Sequence, residues 1–356
     1  MASPKSKTSS EKERSRPASQ TETGILPPEH WEQRLAEVAE DDVDSGIDDN
    51  ESSTASLASS ILKYRTINGR TYHSERGDAE YWGTVDEAQN TAMDMNHHVL
   101  TLLLGQELFL APIGKDVQKV VDIGTGTGLW AIDFADKFES ASVIGTDIAP
   151  IQPGWVPPNL EFQIEDCTQP WTFAPSTIDY IHMRWLTGSI ADWTALFSQA
   201  FKSLKPGGYV ESMEPSSRFE SDDGSVNSMS ALEQWGKFFV EGGKAIGRPF
   251  TVFEDGIVKR AMEEAGFVDI TIKDFKNPVG SWPKDKNMRD IGVYMRATFE
   301  ADPEGTVLFM ASQVGWTREE VGVYLAHFRR ELRSKSSHAY FRQRIAWGRK
   351  PTSAKE

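Results

Sequence analysis

A single cysteine, Cys167, stands among 356 residues. One thiol excludes an intrachain disulfide framework, a CxxC redox pair and a thiolate zinc site. The seven histidines fall in no HExxH or HxH spacing, so no metal centre is expected. No stretch of about 18 apolar residues runs without a charge, and the N-terminal region carries no apolar signal core. Both absences point to a chain of the cytosol or nucleus that does not enter a membrane. An excess of positive charge is missing too, because 38 Lys and Arg face 53 Asp and Glu and leave a formal charge of -15. Such a field repels polyanions at long range, so direct binding of nucleic acid is not expected.

Residues 1–58 are rich in hydroxyl and charged side chains, with an acidic block around Glu40 to Glu51. They offer too little apolar area to offset their ordering entropy, which predicts a disordered tail. The hydroxyl-rich "SSEKERSR" and "SSTASLASS" suit either a solvated leader or a phosphorylatable docking segment, while "KSK" and "KERSR" are too sparse for a localisation signal. Order is expected from near Ile61. There "YRTINGRTYH" sets an Asn68-Gly69 turn between two short extended runs. Met93, His97, Leu100, Leu104 and Leu108 then recur at helical spacing. This makes 59–111 a cap segment ahead of a main domain over 112–350, and no repeat of fixed period is present.

From Gln118 strands and helices alternate. "KVVDIG", "SVIGTDI", "LEFQIED" and "IDYIHM" read as buried strands, and Trp130, Phe134 and Phe138 mark the helix after the first. Trp193, Leu196, Phe197, Ala200, Phe201 and Leu204 form the stripe of another helix, which "KPGG" should end before the strand "YVESME". After Pro215 a polar stretch leads to a helix through Trp235 and Phe239, then to "GIVKRAMEEAG" with Gly266 as its stop and the strand "FVDITIKDF". Thr317 and Glu320 stand at capping-box spacing, and "HAYFRQRIAWG" suits a last strand. This order predicts an α/β fold with a doubly wound, mostly parallel sheet.

The stretch "VVDIGTGTGLWAIDFA" places Gly124, Gly126 and Gly128 at alternate positions between a strand and a helix. Glycines there let the backbone approach a ligand and aim the free N–H groups of the helix start at it. A phosphate-binding Walker loop needs Lys-Ser/Thr after its last glycine, where Leu129-Trp130 stand instead. The dinucleotide fingerprint G-x-G-x-x-G is one residue wider, which argues against a nicotinamide oxidoreductase on a related sheet. Asp122, two residues before the first glycine, suits a cationic group better than a pyrophosphate. Asp147 ends the second strand nineteen residues past Gly128, where a carboxylate can take the ribose hydroxyls or cap the next turn. Asp166, at the end of the third, can accept from an adenine amino group or cap its loop. A ligand with a ribose and an ammonium but no phosphate fits, and S-adenosyl-L-methionine is one.

Together with "VIGTDIAPIQPGWVPPN", "IEDCTQPW", "DYIHMRWLTGSIADW" and "LKPGGYVE", this loop resembles the class I S-adenosylmethionine-dependent methyltransferases. The order and wording are most similar to the fungal LaeA-like members, which include a nuclear regulator of secondary metabolism and many pathway enzymes. The resemblance spans about Tyr64 to Gly348. It implies a seven-stranded sheet whose last strand is antiparallel. It also implies a cofactor site of Asp122, Gly124, Thr125, Gly126, Gly128, Asp147, Ile148, Asp166, Cys167, His182 and Met183. No N/D-P-P-Y/F follows the fourth strand, where "HMRW" stands, so methylation of a base amine or glutamine amide of that type is not implied.

Methyl transfer from a sulfonium is an in-line displacement that depends mainly on orientation. A general base contributes only where the acceptor must lose a proton, and the candidates are His182 after the fourth strand and His97 or His98 on the leading helix. Each can equally be a packing residue. Glu211 and Glu214 can bind an acceptor cation or cap a loop. Tyr81 and Trp82 with Trp235 and Phe239 can form an aromatic lid. The acceptor is expected to be a small molecule, with a regulatory protein complex as the alternative partner.

Overall fold

The computed structural model describes residues 23–36, 64–67, 69–73 and 81–352. The first element, helix α1 (Pro28–Ala36), lies inside the stretch whose composition predicts disorder. That expectation fails here: Trp31 is completely buried, its ring 5.6 Å edge-on from Tyr324, and His327 Nε2 donates to the Trp31 carbonyl at 2.8 Å. The surface that buries Trp31 includes His327, 296 residues downstream, which local composition does not register. The acidic block, both hydroxyl-rich runs and Ile61 lie outside the described residues.

Strands β1 (Arg65–Ile67) and β2 (Arg70–Tyr72) pair antiparallel, as the turn signal predicts, although Asn68 itself lies outside the described residues. Arg70 forks onto Asp86 and Asp302. Asp86 caps α2 (Glu87–Leu103) by accepting from Gln89 N, so the hairpin is tied to the start of that helix. The helix ends before Leu108, the last of the residues expected on it.

β3 (Lys119–Ile123), α3 (Leu129–Lys137), β4 (Ser142–Asp147), β5 (Leu160–Ile164), β6 (Ile178–Arg184), α4 (Trp193–Ser203) and β7 (Leu204–Glu220) follow the predicted alternation. Two boundaries move. Lys205 to Gly208 belong to β7 rather than to a helix stop, and β7 continues past Pro215 through the stretch expected to be irregular. Its tail pairs with a distant strand, a register jump absorbing the misfit between Pro215 and Phe219.

Beyond it come α5 (Ala231–Ile246), α6 (Ile257–Ala265), β8 (Val268–Pro278), α7 (Lys286–Ala301), α8 (Pro303–Gln313), α9 (Arg318–Arg333) and β9 (Tyr340–Arg349). The capping box at Thr317 and Glu320 forms as expected, whereas α7 and α8 have no counterpart in the sequence reading.

The sheet order is β5-β4-β3-β6-β7-β9-β8, parallel except for β9, which inserts antiparallel to both neighbours. This is the doubly wound seven-stranded sheet expected. The chain turns from β4 on one side of β3 to β6 on the other, so a crevice opens at the carboxyl ends of β3 and β6. Helices α5, α7, α8 and α9 share an apolar core with α1 and α2, including Trp235, Phe238, Met295 and Phe328, and form a helical layer above that crevice.

Candidate active site

Asp122 and His182 are direct neighbours in the β3–β6 register and point to the same face. Asp122 Oδ1 and His182 Nδ1 are 2.7 Å apart, and Asp122 Oδ2 accepts from Thr125 Oγ1 at 2.6 Å. Trp130, the second residue of α3, lies flat on the imidazole at 3.7 Å. This buried stack anchors the base of the glycine loop. Burial pushes the His182 pKa down against the pull of Asp122, so the ring is neutral at pH 7.

The loop is tight. Gly124 and Gly128 have φ of 68° and 86°, and a Cβ on either would come within 2.5 Å of the Leu186 side chain or 2.3 Å of the Phe162 ring. Close packing on the outside leaves the inner backbone facing a cleft of about 1440 Å³, counted to its open mouth. Asp147 reaches across the loop, Oδ2 accepting from Gly126 N at 2.8 Å and Oδ1 from Ala149 N at 3.0 Å. Burial lifts this carboxyl to about 6, while the backbone donors pull it back. An ionised carboxylate has about four acceptor positions. The backbone of Gly126, Ile148 and Ala149 fills part of these, and the rest suit a ribose diol.

Six of the expected cofactor residues line this cleft: Gly124, Thr125, Gly126, Asp147, Ile148 and Cys167. Gly128 shapes the loop from behind. Asp122 and Met183 do not line it, since both are buried beneath the loop at 2% and 0% exposure. Asp166 is also off the cleft wall, its Oδ1 accepting from Thr168 N and Oγ1, while its buried Oδ2 is left without a partner. His182 and His97, the acid–base candidates, are both buried and bonded to carboxylates, and neither lines the cleft. Glu211 and Glu214 turn out to be caps. Glu211 accepts from Leu110 and Ala111 N, and Glu214 from Leu186 and Thr187 N, and burial raises each to about 7.

The sequence reading missed the opposite wall. Met93 and Asn96 of α2 and Arg184 at the end of β6 complete the cleft. Period-2 alternation along "YIHMR" puts Arg184 on the face of His182, the one signal that could have found it.

A second chamber of about 520 Å³ adjoins the cleft through shared walls of Trp82, Trp185, Phe299 and Thr306. Trp235, Phe239, Phe250 and Phe341 line its interior. Trp82 is fixed by its Nε1–H, which donates to the Thr187 carbonyl at 3.1 Å, and packs edge-on against Phe239 and Phe250. Trp185 has a left-handed backbone, with φ of 58°, and its buried Nε1 lacks a partner.

A methyl donor composed of a nucleoside and an amino acid fits this donor set. The glycine loop brings backbone close to the cleft, Asp147 keeps acceptor positions facing it, and Asn96 presents a buried oxygen without a partner. Comparison with known proteins agrees. A family described as "Methyltransferase domain" matches residues 95–272. Methyltransferase pytC of Aspergillus terreus is 36% identical over 312 residues, covering 87% of this chain and 95% of that protein. Secondary metabolism regulator LAE1 of Cochliobolus heterostrophus is 31% identical over 291 residues, 80% of this chain and 94% of its own. Secondary metabolism regulator laeA of Aspergillus niger is 31% identical over 287 residues, 80% and 76% respectively. The chain belongs to the class I S-adenosylmethionine-dependent methyltransferases, in their LaeA-like branch. Its cofactor is S-adenosylmethionine, and no helix among the described residues is long and apolar enough to cross a membrane.

Proposed function

We propose that the protein methylates an O or N atom of a small, largely apolar molecule of secondary metabolism. The observation that carries this reading is the aromatic chamber beside the cofactor cleft, whose dimensions suit a small ring system better than a peptide loop. Bound in the cleft, S-adenosylmethionine supplies a sulfonium methyl group open to in-line attack. The protein's part is to orient the acceptor. Trp82, Phe239 and Phe250 would hold a planar ring, exclude water and leave its nucleophilic atom facing the glycine loop.

Arg218 is the one ionisable residue of that lining, which includes no carboxylate, imidazole, thiol or amine. An acceptor that needs no protein base fits best: a nitrogen lone pair, or an acidic phenol or enol already ionised. The relatives named as secondary metabolism regulators favour a second reading, in which the same fold serves a regulatory protein complex.

Incubation with methyl-labelled S-adenosylmethionine and a host extract divided into small-molecule and protein fractions separates the two. Label in the small-molecule fraction is expected. Label confined to protein would overturn the proposal and favour the regulatory reading.

A further inference from the structure

Arg184 is a partly buried cation in an unusual position. It stands at the carboxyl end of β6, lines the cleft, and makes no ion pair among the described residues. Its only side-chain partner there is His97 Nδ1, 2.9 Å from Nη2. Because a guanidinium can only donate, Nδ1 of His97 accepts, and the imidazole proton sits on Nε2. That Nε2–H donates to Asp133 Oδ2 at 2.8 Å. Burial and the neighbouring guanidinium both lower the His97 pKa, which keeps the ring neutral and the tautomer fixed. Asp133, His97 and Arg184 thus form a directed chain. One guanidinium nitrogen is tethered, and the other donors of the fork remain for something in the cleft.

A second observation points to the same place. Met93, Asn96 and His97 share one face of α2 at i, i+3 and i+4, and Met93 Sδ lies 3.5 Å from where a Cβ on Gly126 would be. This face therefore rests on the glycine loop. Asn96 also lines the cleft, and its buried Oδ1 has no hydrogen-bond partner. A forked cation and an orphaned carbonyl oxygen, on adjacent elements, face one end of the cleft.

An α-amino acid presents a carboxylate and an ammonium on one carbon. We infer that Arg184 and Asn96 form the clamp for the methionine end of S-adenosylmethionine, with Arg184 on its carboxylate and Asn96 Oδ1 on its ammonium. His97 and Asp133 are positioning residues that aim the fork. The methionine end is then held between α2 and β6, while Asp147 remains available to the ribose at β4. This assignment rests on the cofactor identified above and says nothing about the acceptor.

The test is calorimetry on the full chain with two probes. S-adenosylhomocysteine carries the amino acid, and 5′-methylthioadenosine keeps the nucleoside and thioether but lacks it. The unaltered protein should prefer the former by roughly tenfold or more, the scale of a charge-assisted hydrogen bond. Arg184→Gln should remove most of that preference by weakening S-adenosylhomocysteine alone, leaving methylthioadenosine within about twofold. Asp133→Ala, whose side chain is 48% exposed and tolerant of change, should shift the ratio the same way by a smaller factor. Asp133→Ala keeps the test open if Arg184→Gln fails to fold. Equal weakening of both probes, or an unchanged ratio in both variants, would overturn the clamp while leaving the cofactor in place. Binding of neither probe by the unaltered protein would overturn the cofactor assignment as well.

Discussion

At the scale of single residues, Asp147 ties Gly126 and Ala149 across the loop, and its remaining acceptor positions are proposed to take the ribose. Asp147→Ala is expected to weaken S-adenosylhomocysteine by about tenfold or more, since hydrogen bonds to an ionised group contribute about 1.5–3 kcal/mol each. The fold should survive, because the backbone groups it frees border an open cleft that water can reach. Calorimetry with a parallel thermal melt checks both halves, and unchanged affinity with intact folding would place the ribose elsewhere. Gly128 is a steric rather than a chemical requirement. Gly128→Ala puts a methyl 2.3 Å from the Phe162 ring on a backbone with φ of 86°. Strain and clash together should lower stability by about 1–3 kcal/mol, read from denaturant unfolding. A loss within error would mean that Phe162 can move aside.

At the scale of elements, the helical layer decides what the sheet can do. The glycine loop and Asp147 come from the sheet, whereas the opposite wall comes from α2, and the second chamber gathers residues of α5, α7, α8, β7 and β9 with the segments before α2, after β6 and after α5. Helix α1 supports that layer from outside through Trp31, which packs on Tyr324 and His327 of α9. Trp31→Ala should therefore cost about 3–5 kcal/mol of folding stability, the usual range for emptying a buried aromatic site. Cofactor affinity should be unaffected, because Trp31 borders neither cavity. Unfolding curves beside a binding titration give the answer, and a variant as stable as the parent would show that α1 is not docked. The same element explains a failure of pattern reading. A nine-residue helix with one tryptophan has no compositional weight of its own, and its order depends on an apolar face that other helices provide.

At the scale of the whole molecule, buried carboxyl groups set a pH dependence. Glu211 rises from an unfolded value near 4.5 to about 7 because burial disfavours its charge. The folded state therefore holds this proton more tightly. Its contribution to stability is greatest below about pH 4.5 and is lost as pH rises towards 7, with a slope approaching roughly 1.4 kcal/mol per pH unit within the window. Histidines with lowered pKa, such as His97 and His182, oppose this below about pH 6.5, so the total curve mixes the two signs. Subtraction isolates the glutamate. Glu211→Gln keeps an oxygen for Leu110 and Ala111 N but cannot ionise, so unfolding free energies measured between about pH 8 and pH 5 should favour the native residue increasingly as pH falls. A flat difference would show that Glu211 titrates normally. The sequence by itself determined the alternating order of the sheet, the glycine loop and the carboxylate at the end of β4, because strand periodicity and turn chemistry are local and repeat at fixed spacing. Only the tertiary structure decided which polar residues face the cleft. Asp122 and His182 stand in buried strands and turn towards each other, Arg184 two positions on turns to α2, and the aromatic chamber gathers side chains from segments far apart in the chain. The physical reason is that spacing sets the direction of a side chain from its own element, whereas burial and partnership depend on which element packs opposite.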